Sequence, residues 1–427
     1  MILLKNGTYI DWQTLEFRRA DIRVEPGPKG NLEFIHPSPD AIGVGDEADT
    51  VIDCTGRYIT KSFANGHHHV YSALATGMPA PPKQPGNFRE ILQYVWWSLD
   101  KALDPASIRA SALVTAIACA RNGVTFVIDH HASPHAVEGS LEIIAEAFES
   151  VGVGHLLCYE ISDRDGAGIA REGLDETARY LQKRTALVGL HASFTVSDET
   201  LGYAVKIASR TGSGIHIHVA EDKYDQEHCM VRYHKRVVER LHDAGALQFP
   251  KTILGHCLHL DDHERALVAA SPAWVVQNME SNLNNSVGFF NSKGLGDRIM
   301  QGTDGMHSDM LQSARSAFFA GHDFDAIDYP GAYHRFRNVH RYLESNAIAG
   351  DWENNLVVLE YRPHTPFSQD NFYGHFLFGL GTQHVSHVIS QGRLIVDNRK
   401  VVTVDEEKIL EEANVQARRL WERMGAQ

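Results

Sequence analysis

Histidine is the residue type most able to do chemistry in this chain. The 427 residues include 25 histidines beside 40 Lys and Arg. Several stand close together, in Asn65-Gly-His-His-His-Val and in His216-Ile-His-Val-Ala-Glu. Imidazole is the commonest protein ligand for metal ions and suits both zinc and iron. The count and the clustering therefore predict a metal site.

Alternation along a β-strand predicts which side chains share that site. Residues i and i+2 of a strand point to the same side, so His67 and His69 are expected to face one ligand. His218 and His256 end later apolar segments, and Asp304 follows another in a Gly-Thr-Asp-Gly turn. Imidazoles with one carboxylate suit Zn²⁺, or alternatively Fe²⁺, with an open position for water.

Eight short apolar segments are predicted to position these residues. Between residues 56 and 350, strands alternate with amphipathic helices, which is typical of parallel βα units. The length is close to the roughly 250 residues of an α/β fold of the (β/α)₈ TIM-barrel type. In such barrels the active site lies at the C-terminal ends of the strands, where these histidines fall. A doubly wound sheet stays open as an alternative, because the eighth strand is less apolar.

Both ends of the chain have the pattern of short strands. Residues 1–55 and 351–404 alternate apolar segments with Gly, Pro and Asn clusters, which predicts one β-sandwich module built from both ends. Residues 405–427 predict a C-terminal helix with Asp405 as its N-cap. The barrel would then occupy residues 56–350.

Composition excludes several classes of protein. A net charge of −14 disfavours a protein that binds nucleic-acid backbones. Five widely spaced cysteines without a C-x-x-C pair indicate a reducing compartment. No uninterrupted apolar run approaches the roughly 18–20 residues of a membrane span, and the first residues are too short for a signal peptide. We expect a cytoplasmic protein that acts on a small molecule.

The sequence resembles the amidohydrolase superfamily, in its cytosine deaminase-like and chlorohydrolase-like branch, and within that branch the SsnA-type aminohydrolases. The stretches that carry the resemblance cover nearly the whole chain in the family's order. They are Trp96-Trp-Ser-Leu-Asp-Lys-Ala-Leu-Asp104, Ile128-Asp-His-His-Ala-Ser-Pro134, Gly189-Leu-His-Ala-Ser-Phe-Thr-Val-Ser-Asp198, His216-Ile-His-Val-Ala-Glu-Asp222, Ser281-Asn-Leu-Asn-Asn285, Gly302-Thr-Asp-Gly305 and Gly374-His-Phe-Leu-Phe-Gly379.

The resemblance implies a role for each matching residue. One metal ion would be bound by His67, His69, His218 and Asp304. Glu221 would shuttle protons, His256 and Asp304 would help deprotonate the water, and His191 would contact substrate. Binuclear relatives use a lysine after strand four, which is absent here, so one metal ion is expected. Relatives also imply a homodimer.

Four further residues are candidates for substrate contact, each with a structural alternative. His131 ends strand two and either touches substrate or makes a structural hydrogen bond. Asp100 lies where related deaminases place a substrate-binding acid, or is an ordinary helix-surface residue. Arg164 either pairs an anionic substrate or is a solvated loop residue. Asn282 offers an amide contact, or satisfies its own loop backbone.

These residues favour a metal-dependent aminohydrolase that deaminates a small purine- or pyrimidine-like heterocycle. Opening of a cyclic amide, as in imidazolonepropionase-like relatives, needs the same metal, glutamate and histidine. A non-catalytic barrel that binds a metal or ligand is the third interpretation. The presence of Glu221 and His256 beside the metal ligands argues against it.

Overall fold

The computed structural model of the chain describes residues 1–35 and 49–426. Its strands are β1 (Ile2–Ile10), β2 (Phe17–Val24), β3 (Leu32–Ile35), β4 (Thr50–Asp53), β5 (Tyr58–Lys61), β6 (Phe63–His68), β7 (Val124–His131), β8 (Gly154–Tyr159), β9 (Val188–Ala192), β10 (Ile215–Val219), β11 (Ile253–His256), β12 (Trp274–Gln277), β13 (Ile299–Gln301), β14 (Leu356–Leu359), β15 (Val385–Ser390), β16 (Arg393–Asp397) and β17 (Lys400–Val401).

The helices follow in the same order along the chain. They are α1 (Phe88–Ile91), α2 (Trp97–Ala102), α3 (Pro105–Arg121), α4 (Ser140–Val151), α5 (Ala167–Leu181), α6 (Asp198–Thr211), α7 (Lys223–Tyr233), α8 (Val237–Asp243), α9 (Asp262–Ala270), α10 (Met279–Asn284), α11 (Met310–Phe324), α12 (Tyr329–Ser345), α13 (Phe372–Phe378) and α14 (Glu406–Gly425). A π-helical turn, Leu92–Trp96, joins α1 to α2.

Strands β6 to β13 form the predicted barrel. They pair in parallel as two sets, β6-β7-β8 and β9 to β13. Two bridges, Leu157 with Ala186 and Ile161 with Leu190, join β8 to the segment of β9. A third bridge, His68 with Asp304, joins β6 to the residues after β13. The ring is therefore closed, which confirms the (β/α)₈ barrel and rules out the open doubly wound sheet.

Apolar side chains fill the barrel interior below the strand ends. Phe126 and Ile128 of β7 and Leu156 and Cys158 of β8 are buried in one cluster. Tyr342 of α12 belongs to the same cluster and is fully buried, so α12 closes the base of the barrel. Apolar side chains fill this part of the interior. The inward-pointing polar side chains that form the site therefore lie at the C-terminal rim.

The strands predicted as a β-sandwich from both chain ends pair edge to edge in one nine-stranded sheet. The order is β17-β16-β15-β14-β5-β1-β2-β3, with β4 also paired to β1. The predicted boundary at residue 56 assigns Tyr58–Lys61 to the barrel. This assignment is wrong, because strand β5 pairs with β1 and β14 and belongs to this sheet. Residues 36–48 of the predicted module lie outside the described residues. The boundaries between residues 350 and 351 and between residues 404 and 405 stay predictions.

Helix α14 packs on the barrel, mainly against α3 and α2. Asp405 caps it by accepting a hydrogen bond from the backbone N–H of Lys408. The indole N–H of Trp421 donates to the carbonyl of Leu74, 2.9 Å away, just after the strand that carries His67. The end of the chain thus braces the loop that follows β6.

In the ranges that the structure covers, no single helix is long and apolar enough to cross a membrane. The pair Phe88–Ala102 and Pro105–Arg121 passes that test by length and composition only when taken together, and it is bent by 107°.

Candidate metal centre and active site

The four predicted metal ligands meet at the C-terminal rim of the barrel. The Nε2 atom of His69 lies 3.1 Å from Asp304 Oδ1 and 3.1 Å from His218 Nε2. The Nε2 atom of His67 lies 3.5 Å from the same Asp304 oxygen. A register shift in β6 between Asn65 and His68 accompanies the turn of these side chains toward the rim.

His256 completes the cluster. Four ligand atoms lie within 4.8 Å of one another, those of His67, His218, His256 and Asp304. The Nδ1 atom of His256 is 2.8 Å from Asn282 Oδ1, an acceptor, so this nitrogen donates and the ring is held with Nε2 toward the cluster. That Nε2 atom lies 3.6 Å from both Asp304 Oδ2 and Glu221 Oε2.

The unpaired polar atoms of the cluster fit a metal ion. The Nε2 atoms of His67 and His256 are buried, with no hydrogen-bond partner among the described residues. The other ring nitrogen of His67 lies 2.9 Å from His216 Nε2, which holds the ring with Nε2 toward the cluster. Buried nitrogens without partners are costly unless a ligand satisfies them. Several imidazoles and one carboxylate are also the donor set that zinc prefers.

Left-handed backbone conformations aim two of these side chains. His256 has φ of 66° and Asp304 has φ of 54°, values uncommon for residues with a Cβ. Ile253 of β11 points into the interior, so simple alternation would turn His256 away from it. The left-handed conformation of His256 at the end of β11 turns its side chain back toward the cluster. Such strain is often found at functional sites.

Burial and hydrogen bonding set the charges of the site. Burial lowers the pKa of His67 to about 3, so its imidazole is neutral. Burial alone would raise the pKa of Asp304, but the hydrogen bond from His69 and the histidines around the carboxylate hold it well below its usual range. Burial raises the pKa of Glu221 to about 7, although His256 opposes the shift. A carboxyl group with that pKa can both give and take a proton near neutral pH.

A cavity opens over this cluster. His69, His218, Glu221 and Asp304 lie in its wall. The rest of the wall combines aromatic and apolar side chains with a few polar ones: Tyr71, Ser72, Phe88, Leu92, Trp96, Trp97, Glu160, His191, Ser281, Asn284, Asn285, Gly305 and Met306. Aromatic walls suit a small planar ligand, and the polar side chains among them can fix its orientation.

A model of the amidohydrolase family matches residues 58–331. The chain belongs to the amidohydrolase family. The match spans the whole barrel and contains every residue of the metal cluster.

Several proteins are similar to this amidohydrolase over most of its length. The 5-methylthioadenosine/S-adenosylhomocysteine deaminase of Pelotomaculum thermopropionicum is 28% identical, over 87% of this chain and 88% of its own. The 5'-deoxyadenosine deaminase of Methanopyrus kandleri is 27% identical, over 76% and 78%. A zinc-bound adenosine deaminase structure from Xanthomonas campestris has the same fold, with a TM-score of 0.82 at 18% identity, covering 98% of both chains.

Of the predicted substrate contacts, His191 lies in the cavity wall of the amidohydrolase. Its Nδ1 atom is 2.6 Å from the hydroxyl of Thr195, and burial lowers its pKa to about 4. A neutral imidazole with one nitrogen committed leaves Nε2 for a ligand. Contact of His191 with substrate stays a prediction.

Asn282 and His131 are not among the cavity-lining residues, contrary to their predicted contact with substrate. Asn282 is fully buried and hydrogen-bonded to His256, so it positions the imidazole ring of His256. His131 ends β7 one residue after His130, and alternation turns it toward the helices. There its Nε2 atom is 2.9 Å from the hydroxyl of Ser133. The structural alternative for His131 is the one observed.

Asp100 and Arg164 form a buried ion pair with each other. The structure therefore shows neither the predicted substrate contacts nor the exposed side chains of the structural alternatives. Their side chains are only 1% and 8% exposed. The guanidinium of Arg164 also lies 5.1 Å from the ring centre of Trp97, which lines the cavity. The pair therefore supports the aromatic wall, and Arg164 is not free to bind an anionic substrate.

We expect Arg164→Met to lower the free energy of unfolding by about 3–5 kcal/mol, because it leaves the Asp100 carboxyl group buried without a partner. Denaturant unfolding of the double variant Asp100→Leu/Arg164→Met should recover much of that loss. Arg171→Met, at a side chain 63% exposed on α5, is the matched control. Unchanged stability of Arg164→Met together with a raised KM would contradict the support role.

Sequence reasoning missed Glu160, a carboxylate in the cavity wall. It follows β8 directly, and it continues the inward alternation of Leu156 and Cys158. The rule that found the histidines, a polar residue at the C-terminal end of a barrel strand, applies equally to Glu160. Trp96 and Trp97, for which the sequence predicts no role, also line the cavity.

Proposed function

We propose that this amidohydrolase is a mononuclear, metal-dependent aminohydrolase that removes an amino group from a small purine- or pyrimidine-like heterocycle. The observation that carries the proposal is the position of Glu221. Its carboxyl group lies in the wall of an aromatic cavity, 3.6 Å from His256, beside a cluster of metal-type donors. A proton-transferring carboxyl next to a water-activating centre is what hydrolytic deamination requires.

Zn²⁺ is the proposed metal, held by His67, His69, His218 and Asp304. The unpaired Nε2 atom of His67 and the 3.1 Å spacings around His69 support this set. Bound zinc in the related adenosine deaminase structure supports the choice of ion. Such an ion, when bound, lowers the pKa of a coordinated water to about 7.

The residues around the cluster would move the protons. His256 Nε2 and Asp304 Oδ2, 3.6 Å apart, are the acceptors for a proton of the attacking water. Glu221 would donate to the ring nitrogen of the substrate as water adds to the adjacent sp² carbon. It would then take the proton of the adduct's hydroxyl group and pass it to the amino group as the C–N bond breaks, and the proton held by His256 or Asp304 would return Glu221 to its acid form. The products are a ring carbonyl compound and ammonia, which balances the amine and water consumed.

Trp96, Trp97, Tyr71 and Phe88 support a planar substrate, since each contributes an aromatic ring to the cavity wall. The curated relatives named above are deaminases of adenosine derivatives. We therefore place purine-like compounds first. From the family resemblance we propose a homodimer in the cytoplasm. Light scattering on protein that elutes from a size-exclusion column gives the molar mass and so tests whether it is a dimer.

The experiment measures ammonia released by zinc-loaded protein from adenosine, 5'-methylthioadenosine, S-adenosylhomocysteine, guanine and cytosine. We expect release from at least one of them, and none after chelation of the metal. Absence of ammonia from all five, with one zinc ion bound per chain, would contradict deamination. Cyclic amides would then be tried, because ring opening consumes water without releasing ammonia.

Asn282 offers a further prediction, since it holds His256. Asn282→Leu removes the acceptor that fixes the proton on Nδ1, and we expect kcat to fall by about 10- to 100-fold with the metal content unchanged. Asn282→Asp keeps an acceptor and should retain most of the activity. Equal activity in the Leu and Asp variants would show that the hydrogen bond to His256 has no part in catalysis.

A further inference from the structure

Glu160 is the one cavity-lining carboxylate to which the proposed mechanism gives no role. Three carboxylates lie in the described wall, and Glu221 and Asp304 have roles already. The side chain of Glu160 is only 3% exposed. A carboxylate this enclosed is costly to keep without hydrogen-bond donors. Its surroundings therefore indicate what it is for.

One oxygen of Glu160 is paired and the other is not. Oε2 is 3.1 Å from His130 Nδ1, and the opposite nitrogen of that ring is 3.1 Å from the carbonyl of His216. Both contacts of His130 are to acceptors, so the ring is fixed and holds Glu160 in place. Oε1 lies 3.9 Å from His191 Nε2, too far for a hydrogen bond. Within the described chain, Oε1 has no hydrogen-bond donor.

The carboxyl group of Glu160 is ionised at neutral pH. Burial alone would raise its pKa, but the hydrogen bond from His130 and the nearby guanidinium of Arg164 lower it below the usual range. An ionised oxygen without a donor, facing a cavity, has strong capacity to accept a hydrogen bond. Among the described residues of the cavity wall none is Lys or Arg. The ligand itself must then supply the donor.

We infer that Glu160 determines specificity by accepting, at Oε1, a hydrogen bond from an N–H of the substrate other than the amino group removed. The inference rests on the proposed function, which puts a nitrogen heterocycle in this cavity. It narrows the substrate class to uncharged or cationic heterocycles that carry a second N–H donor, such as free adenine, guanine or cytosine. Adenosine derivatives are then disfavoured, because their N9 carries the sugar and the ring has no N–H. Analogues methylated at that nitrogen lose the hydrogen bond, and anionic analogues are repelled by the carboxylate.

The test measures affinity without turnover. Zinc-loaded Glu221→Gln protein, in which deamination is expected to stop, is titrated with adenine against 9-methyladenine and with cytosine against 1-methylcytosine. Quenching of tryptophan fluorescence reports binding, because Trp96 and Trp97 line the cavity. The same titrations are made with Glu160→Gln added. Glu146→Gln, at an exposed position of α4, is the matched control.

We expect the unmethylated base of at least one pair to bind about 10- to 100-fold more tightly than its methylated partner. Glu160→Gln should remove that difference, because its amide keeps an acceptor for His130 and turns a donor to the cavity. Glu146→Gln should preserve it. A difference that survives Glu160→Gln reports steric exclusion and overturns the inference, as do equal affinities or no binding in both pairs. Wild-type ammonia release, measured in parallel, reports on the proposed function separately.

Discussion

Glu221→Gln is expected to lower kcat by about 10³-fold while the protein keeps one metal ion per chain. The amide preserves the shape of the side chain but cannot transfer a proton to the ring nitrogen or to the departing amine. Steady-state ammonia release and metal analysis of the same preparation check the two halves of the prediction. Glu227→Gln, at an exposed position six residues along on α7, is the matched control and should behave as wild type.

The same substitution should make the metal-free protein more stable at alkaline pH. The pKa of Glu221 is raised to about 7 from 4.5, so the folded chain binds this proton more tightly than the unfolded chain. Stability of the wild type then falls as pH rises from about 4.5 to 7, by about 3 kcal/mol for this group. The Glu221→Gln variant has no such loss, because its amide does not titrate. Thermal unfolding of the two metal-free proteins should agree at pH 4.5 and diverge by pH 8.

If the difference in unfolding temperature between wild type and Glu221→Gln stayed the same from pH 4.5 to pH 8, the raised pKa of Glu221 would be contradicted. Loss of metal from Glu221→Gln would contradict its role in proton transfer, because the residue would then belong to the metal site. Activity within a few-fold of wild type would remove the observation on which the proposed function rests.

Strand periodicity explains how far the sequence predicts the site. Eight apolar segments predict eight barrel strands, and the polar residues that end them predict the rim at which the cluster lies. The spacing of His67 and His69 is enough to put both beside Asp304, since i and i+2 share a side. Glu160 follows the same rule, so its place in the cavity wall was equally predictable from the sequence.

Helical geometry after β12 could not be predicted from composition alone. Ser281, Asn282 and Asn284 follow β12, where the sequence predicts a loop in which Asn282 either contacts the ligand or satisfies the loop's own backbone. They belong to the short helix α10, whose period separates them. Ser281 and Asn284 face the cavity, whereas Asn282 points to His256.

Long-range pairing is the other limit of the sequence. Asp100 and Arg164 are 64 residues apart, and nothing local shows that each satisfies the other. Two charged residues near a predicted pocket suggest ligand contacts when they are considered singly. Packed together behind Trp97, they neutralise one another. The direction of His256 was likewise beyond strand alternation, because a left-handed residue reverses it.

His69→Ala is expected to abolish both metal binding and ammonia release. The Nε2 atom of His69 lies between two other predicted ligands, 3.1 Å from Asp304 Oδ1 and 3.1 Å from His218 Nε2. Without it two donors lose their common neighbour, and water is no longer activated near neutral pH. Atomic emission spectrometry should measure a zinc content far below one ion per chain, and added zinc should not restore activity.

Wild-type protein stripped by a chelator supplies the comparison for His69→Ala. It should lose activity, regain it with added Zn²⁺, and unfold at a higher temperature once zinc is bound, because the ion binds the folded chain. His364→Ala, at an exposed histidine, should respond to zinc as wild type does. If His69→Ala kept full zinc content and the zinc-dependent rise in Tm, the ion would lie on other donors. The cluster of His67, His218, His256 and Asp304 is then the alternative that the distances support, with His256 as a ligand in place of His69.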